Sequence, residues 1–228
     1  MPFPIYLAMT AAEFQKNPQV SSKIAWMACH FSPYGTGLSN IPRELPVGSM
    51  LIVNDRTPIC GHDPKLICQQ LAATVEAFQC SCIFLDMQRP GDDATLQLVE
   101  TIVSALPCPV GVSHWYASGL DCPVCLPPLP LLTPLPQYLE PWKGREIWLE
   151  LATETVRYTI TAAGCSRCDI APEGEFPLWD PGLHCHYRIE SEQDALHFIL
   201  TRQQQELEYL IQSAENIQTF LGLYQELG

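Results

Sequence analysis

The sequence is poor in basic residues, and the few that it has form no run. Its 228 residues include 12 Lys and Arg against 25 Asp and Glu, which gives a formal net charge of −13. A nucleic acid would be repelled by such a chain, so the charge balance predicts that nucleic acid is not a partner. Hydrophobic residues make up 47% of the chain, which is typical of a globular protein with a core.

Long apolar stretches and recognisable leader or nucleotide motifs are also absent. No segment approaches the roughly 20 apolar residues that a membrane-spanning helix needs, so we expect no membrane association. The N-terminal residues Met1–Pro4 lack the basic and apolar regions of a signal peptide, which predicts a cytoplasmic protein. The glycines around Gly35-Thr36-Gly37 do not match the dinucleotide-binding pattern, so we expect no dinucleotide cofactor.

Cysteine, by contrast, is abundant at eleven residues. Several cysteines lie in apolar runs, where a reduced thiol packs as a small hydrophobic side chain. These are Cys29, Cys68 and Cys82. Two CxxC pairs, Cys122/Cys125 and Cys165/Cys168, have the spacing of zinc knuckles, although zinc ribbons place their pairs closer together. We expect no cofactor and keep a structural zinc at these four cysteines as the alternative.

Short runs of apolar and β-branched residues alternate with helical periodicities, as in parallel strands joined by crossover helices. The predicted strands are Ile5–Met9, Ile24–His30, Met50–Asn54, Cys82–Met87, Pro109–Trp115, Pro123–Pro127, Glu146–Leu151 and Cys185–Ile189. Helix starts are predicted at the capping box of Thr10, at Asp63-Pro64 and at Asp92-Asp93. This alternation favours a compact, partly irregular (β/α)8 TIM-like barrel in a single domain over residues 1–228, with an open α/β sheet as the alternative.

Two segments depart from the strand–helix alternation. Apolar residues at alternate positions followed by Gly164 predict a hairpin inserted at about residues 155–170. From Ser191 onward a 3-4 spacing of apolar residues predicts a long C-terminal helical segment over about residues 191–226. We expect its apolar seam to cover the barrel of a monomer, with a homodimer through this helix as the alternative.

The active face of a (β/α)8 barrel lies at the C-terminal ends of its strands. Polar and aromatic residues predicted at or near those ends are His30, Tyr34, Asp55, Asp86, Gln88, Arg89, His114, Trp115, Tyr116, Trp148 and Glu150. Carboxylates and amides bind sugar hydroxyls and aromatic rings stack on sugar faces, so we predict an oligosaccharide or another small-molecule ligand. The alternative is that these residues only satisfy strand ends, with Asp55–Arg56 and Asp86–Arg89 as local ion pairs.

The segment Ser81–Gln88 resembles the fourth-strand signature of the family 18 glycoside hydrolases, the chitinase-like barrels, whose pattern is D-G-x-D-x-D-x-E. Asp86 falls on the last Asp of that pattern and Gln88 on its catalytic Glu, while Phe84 replaces the preceding Asp. The layout of Met50–Phe78 is similar to the third strand and helix of those barrels. The resemblance implies a glycoside-hydrolase-like barrel that acts on or binds a carbohydrate, with Asp86 and Gln88 at its catalytic position.

Gln88 departs from the chemistry of that family, in which the Glu protonates the leaving oxygen. An amide has no proton to transfer, so the chain either binds glycans without turnover or uses an acid on another strand. Glu150 and Asp55 are the carboxyls available for that role. The alternative from a different class is a metal-dependent hydrolase at the same barrel mouth. Its candidate ligands are His30, Asp55, Asp86, His114 and Glu150.

Overall fold

The computed structural model describes residues 4–19, 23–56, 61–89, 92–128, 134–151, 156–161, 164–170, 184–190, 195–202, 205–211, 217–218, 221–222 and 224–225. The chain divides into two compact units. Residues 4–128 and 135–150 form the first, and the described residues from Leu151 onward belong to the second. The assignment of residues 1–228 to a single domain stays a prediction.

The first unit is built on a parallel sheet. Its strands are β1 (Leu7–Met9), β2 (Ile24–Phe31), β3 (Leu38–Ser39), β4 (Met50–Asn54), β5 (Cys82–Asp86), β6 (Val110–Ser113), β7 (Val124–Leu126) and β8 (Ile147–Leu149). They lie in the order β1-β2-β4-β5-β6-β7-β8, all parallel, while β3 pairs antiparallel with β2. Each parallel strand pairs with the next one along the chain, as in a (β/α)8 barrel. The first seven predicted strands are therefore confirmed as neighbours in one sheet.

Helices connect these strands, and the first three begin where the sequence predicts them. They are α1 (Ala11–Lys16), α2 (Pro64–Phe78), α3 (Asp93–Ala105) and α4 (Leu135–Leu139), with 3₁₀ turns at His114–Tyr116 and Glu140–Trp142. The predicted helix starts are confirmed, because the side chains of Thr10, Asp63 and Asp92 each accept a hydrogen bond from the first turn. No helix within the described ranges is long and apolar enough to cross a membrane.

One face of the parallel sheet packs against helices. Leu51 and Val53 of β4 and Ile83 and Leu85 of β5 are fully buried in a large apolar cluster, which we call the helix-side cluster. The helices contribute Ile67, Leu71 and Val75 of α2 and Leu98, Val99 and Ile102 of α3. Their periodic apolar stripes are what hold the helices on this face.

The opposite face holds a smaller set, which we call the inner cluster. It is made by Ala25, Met50, Ile52, Cys82, Phe84 and Cys125. Tyr6, next to β1, and Trp148, in β8, both pack against it. Side chains from both ends of the sheet therefore pack against one cluster, as in a sheet that curls in the manner of a barrel.

The second unit contains an antiparallel sheet. Its strands are β9 (Val156–Thr161), β10 (Gly164–Ile170), β11 (His184–Glu190), β12 (Ala195–Arg202) and β13 (Gln205–Ile211), in the order β10-β9-β13-β12-β11. The hairpin predicted at about residues 155–170 is confirmed, since β9 and β10 pair antiparallel. The eighth strand predicted for the barrel, Cys185–Ile189, is wrong in its role, because β11 instead pairs antiparallel with β12.

The long helical segment predicted over about residues 191–226 is also wrong for most of its length. Strands β12 and β13 occupy that region and pair with each other. In β13, Leu207, Tyr209 and Ile211 alternate with Glu206 and Glu208, so Leu207, which fits a helical spacing, also fits a strand. Further along, the described residues 217–218, 221–222 and 224–225 are helical.

Candidate functional site

Strand register brings polar residues together at the C-terminal edge of the parallel sheet. His30 of β2 pairs with Asn54 of β4, which in turn pairs with Asp86 of β5. Neighbouring strands lie about 4.8 Å apart and paired residues face the same way, so these three residues form a row. Asp86 follows Phe84 by two positions, which places this row on the face of the inner cluster.

Asp55 fixes the segment that follows β5. It is only 3% exposed, and its Oδ1 and Oδ2 accept hydrogen bonds from the backbone N–H groups of Gln88 at 2.9 Å and Arg89 at 3.1 Å. Both oxygens are therefore engaged by the backbone. The carboxylate of Asp55 thus positions Gln88 and Arg89, because the chain leaving a strand needs acceptors for its N–H groups, and a catalytic role for Asp55 stays a prediction.

Gln88 and Asp86 are hydrogen-bonded to each other at this edge. The Nε2 group of Gln88 donates to Oδ1 of Asp86, which is half-buried, while Gln88 itself is exposed. Burial raises the pKa of Asp86; the hydrogen bond from Gln88 opposes this change, and the negative charge of Asp55 adds to it. The two residues that the family 18 pattern singles out therefore lie side by side and open to solvent.

Glu150 follows β8 on the same face as Trp148. Its backbone N–H donates to the carbonyl of Leu126 at 3.0 Å, which fixes it at the strand end. The side chain keeps access to solvent, yet the surrounding protein desolvates its carboxyl and raises its pKa to about 7, with the negative charge of Asp86 contributing. Asp86 and Glu150 are thus electrostatically coupled.

Two predicted aromatic residues offer exposed rings. The side chain of Trp115 is 58% exposed, and that of Tyr34 is 85% exposed. The imidazole of His114 supports the indole of Trp115, with ring centroids 4.3 Å apart, and contacts Trp142 edge-on at 6.4 Å. Burial lowers the pKa of His114, which favours the neutral ring at this position. Trp115 therefore has both the accessibility and the support that a stacking platform needs.

Tyr116, for which contact with a ligand stays a prediction, is buried in the structure. Its side chain is 2% exposed, and its hydroxyl donates to the backbone carbonyl of Arg89 at 2.7 Å. Burial raises its pKa to about 12, and the negative charges of Asp55 and Asp92 add to this effect. Trp115 and Tyr116 differ in exposure because the 3₁₀ turn after β6 points successive side chains in different directions. Trp115 is left outside, and Tyr116 packs inward and positions Arg89.

Trp148 lies deeper, on the inner face of β8. Its indole N–H donates to Oε1 of Glu146 at 2.9 Å. A Cβ at Gly111 of β6 would lie 2.5 Å from two atoms of the Trp148 ring and 2.9 Å from Sγ of Cys125. The ring can occupy this place only because residue 111 has no side chain.

Sequence reasoning missed Gly111 and also Ser113. The hydroxyl of Ser113 accepts from the backbone N–H of Met87 at 2.8 Å and donates to the carbonyl of Leu85 at 3.2 Å. It thereby fixes the backbone on either side of Asp86. Both contacts join residues more than 25 positions apart, and no local pattern in the sequence signals such a contact.

The candidate metal sites are not brought together by the described residues. No group of three His, Cys, Asp or Glu side chains among them is placed to hold a metal ion. Cys122 packs against the helix-side cluster, whereas Cys125 belongs to the inner cluster, and burial raises the pKa of both thiols. Cys165 and Cys168 lie in β10, whose side chains are outside the description. Zinc at these four cysteines stays a prediction.

Solved structures with a similar fold include several chitinases. A family 18 chitinase from Cycas revoluta in complex with (GlcNAc)4 matches with a TM-score of 0.58 and 8% identity, over 97% of this chain and 91% of that one. A chitinase from Chromobacterium violaceum matches with a TM-score of 0.57 and 9% identity, over 94% of this chain and 87% of that one. The spore cortex-lytic enzyme SleL of Bacillus megaterium matches with a TM-score of 0.55 and 12% identity, over 97% of this chain and 67% of that one.

No protein-family profile and no curated protein sequence matches the chain. At 8–12% identity the structural matches establish the fold alone. The chain therefore has an α/β fold of the TIM-barrel type, similar to that of the family 18 chitinases. This result confirms at the level of the fold the resemblance that the segment ending in Asp86 and Gln88 indicates.

Proposed function

We propose that this protein is a carbohydrate-directed barrel that binds an oligosaccharide at the C-terminal edge of its parallel sheet and lacks a chitinase-type acid there. One observation carries the proposal. The amide of Gln88 donates to Asp86 at the position where the family 18 pattern places its catalytic Glu. The pair offers hydrogen-bond donors and acceptors to sugar hydroxyl and amide groups, but the amide of Gln88 has no proton to transfer as the family's Glu does.

The surroundings of this pair support binding of a sugar. The exposed indole of Trp115 follows the neighbouring strand, and aromatic faces of this kind stack on sugar rings. The segment that carries Gln88 is held in place by Asp55 and by the hydroxyl of Tyr116, so little conformational freedom is lost when a ligand binds. A site that is fixed before it binds suits a binding protein as well as an enzyme.

The second candidate function is hydrolysis with Glu150 as the proton donor. Its carboxyl, with a pKa raised to about 7, is partly protonated at neutral pH, as a general acid must be. Asp86 lies close enough to influence it and supplies a second carboxyl. Two carboxyls are sufficient for ordinary glycoside hydrolysis. A metal-dependent hydrolase has no comparable observation in its favour.

The experiment compares wild type with Gln88→Glu. Chitotetraose binding is measured by calorimetry, and turnover is measured with a chromogenic chitobioside. We expect wild type to bind without turnover and Gln88→Glu to gain at least trace hydrolysis, because Asp86 would raise the pKa of the new carboxyl and keep it protonated. Gln97→Glu, on the exposed surface of α3, adds the same charge outside the site and should gain nothing.

Other outcomes assign the activity elsewhere. Wild-type hydrolysis that Gln88→Ala leaves intact and Glu150→Gln abolishes would establish the second candidate and overturn a site without turnover. Hydrolysis lost on addition of EDTA would point to the metal-dependent class. No binding of chitotetraose or of any oligosaccharide on a glycan array would overturn the carbohydrate proposal itself.

A further inference from the structure

Arg56 and Arg89 lie near Gln88 at the C-terminal edge of the parallel sheet, and hydrogen bonds hold both of them. Arg89 is held at three points: its N–H donates to Asp55 at 3.1 Å, its carbonyl accepts from Tyr116 at 2.7 Å, and its Nη2 donates to the carbonyl of Arg56 at 3.1 Å. Arg56 is anchored as well, because its N–H donates to Oδ1 of Asn54 at 3.1 Å. Both side chains are nevertheless exposed to solvent.

Neither guanidinium is paired with a carboxylate from the described part of the chain. The local ion pairs Asp55–Arg56 and Asp86–Arg89 do not form, because Asp55 accepts from backbone N–H groups and Asp86 accepts from Gln88. The Nη2 group of Arg89 donates instead to the backbone carbonyl of Arg56. In a chain with 25 acidic residues, two adjacent arginines without a carboxylate partner need an explanation.

We propose that Arg56 and Arg89 form a carboxylate-binding subsite next to Gln88, and that the ligand is an acidic oligosaccharide whose uronic acid occupies it. This inference rests on the proposed function and adds the chemical class of the sugar. The guanidinium of Arg89 contacts the backbone of Arg56, so both positive charges belong to one region of this edge, and a bound carboxylate would reduce the repulsion between them. It would also supply acceptors for the N–H groups of Arg89 that the carbonyl of Arg56 does not engage.

The chemistry of arginine favours a carboxylate for this position. The guanidinium is planar, and its parallel N–H groups match the two oxygens of a carboxylate. The bond from Nη2 of Arg89 to the carbonyl of Arg56 uses only part of this donor set and orients the rest. Because the arginine is held before the ligand arrives, binding costs less side-chain entropy than at a free surface arginine.

The test uses two tetrasaccharides that share N-acetylglucosamine and differ in charge: chitotetraose, which is neutral, and a hyaluronan tetrasaccharide, which carries glucuronic acid. Calorimetry gives the Kd of each at low salt. We expect wild type to bind the hyaluronan tetrasaccharide at least about tenfold more tightly, a difference of about 1.4 kcal/mol. The preference should shrink at 0.5 M salt, since exposed charges are then screened.

Arg89→Gln and Arg56→Gln should each reduce the preference for the acidic sugar, measured as the ratio of the Kd for chitotetraose to the Kd for the hyaluronan tetrasaccharide. Arg89→Lys keeps the charge without the planar fork and should retain only part of the preference. Arg43→Gln, an exposed arginine in the chain segment that leads into β4, removes the same charge and should change neither Kd.

The outcomes separate this inference from the function on which it rests. Equal affinity for the two tetrasaccharides, unchanged in Arg89→Gln, would overturn the acidic subsite while leaving carbohydrate binding intact. A preference for the acidic sugar that Arg43→Gln reduces as much as Arg89→Gln would also overturn it, since the effect would then be one of net charge. Failure of both sugars to bind would overturn both.

Discussion

The two faces of the parallel sheet are built from alternate residues of the same strands, yet they differ in kind. In β5, Ile83 and Leu85 are fully buried in the helix-side cluster, whereas Phe84 and Asp86 face inward. The helix-side cluster joins two helices to the sheet. The inner face carries a small cluster and, at its C-terminal edge, titratable groups. Adjacent residues of one strand therefore serve different purposes: one stabilises the fold, and the next faces the candidate ligand site.

The sharpest way to break this comparison is to change two adjacent residues of β5. Leu85→Ala removes a fully buried side chain and should lower the free energy of unfolding by about 2–5 kcal/mol, measured by urea denaturation. The affinity of the folded fraction for oligosaccharide should stay the same. Asp86→Asn is the matched control: it should lower the affinity for oligosaccharide and leave the free energy of unfolding nearly unchanged. A large loss of affinity in Leu85→Ala would show that the faces are not independent.

Gly111→Ala tests how tightly the inner face is packed. The new methyl group would lie 2.5 Å from the ring of Trp148, so the ring or the strand must move. We expect a loss of about 1–3 kcal/mol in the free energy of unfolding, together with a shift of the tryptophan fluorescence. The double variant with Trp148→Leu should recover part of the lost stability, because the smaller side chain leaves room for the methyl group. An additive loss in the double variant would contradict this contact.

Much of the first unit was predictable from local pattern. Asp63 before Pro64, and Asp92 before the apolar stripe of α3, are helix starts that depend only on neighbouring residues. The C-terminal region was not predictable in this way. Glu, Gln and Leu have high intrinsic helix propensity, and the alternation of Leu207 with Glu206 and Glu208 becomes decisive only once β12 and β9 supply partners.

The candidate site divides along the same line. The positions of Asp86 and Gln88 followed from the strand that carries them and from a family pattern. The role of Asp55 did not, because its hydrogen bonds to Gln88 and Arg89 span more than 30 positions in the sequence. The burial of Tyr116 could not be predicted from the sequence either. Sequence therefore predicted which residues lie near the edge but not which of them are engaged in holding the others.

Asp55→Asn tests whether Asp55 acts by holding Gln88 and Arg89 in place. The amide of Asn offers one acceptor and one donor where the carboxylate offers two acceptors, so one backbone N–H of Gln88 or Arg89 loses its partner. We expect the free energy of unfolding to fall by about 1 kcal/mol and oligosaccharide affinity to fall by more than stability does. Asp63→Asn provides the control, since Asn caps α2 nearly as well as Asp does. If the two substitutions change affinity and stability equally, Asp55 does not position Gln88 and Arg89 for binding.

The smallest expected effect is the change in stability with pH that Glu150 causes. Its folded-state pKa of about 7 lies above the ordinary value of 4.5, so the folded protein binds the proton more tightly than the unfolded chain does. Stability should therefore decline as pH rises from about 4.5 to about 7 and should not change further from this group above that range. The decline is modest, because Glu150 keeps access to solvent and water screens its charge.

Urea midpoints at pH 5 and pH 8 measure this decline. Glu150→Gln should flatten the difference between the two midpoints relative to wild type. Asp86→Asn should in turn lower the pKa of Glu150, because one of the two causes of its shift is removed, and NMR titration of the carboxyl carbons can follow this change. If Glu150→Gln and wild type lose the same stability between pH 5 and pH 8, the two carboxyls do not share a site. The second candidate function would then lose its proton donor, and binding without turnover would stand alone.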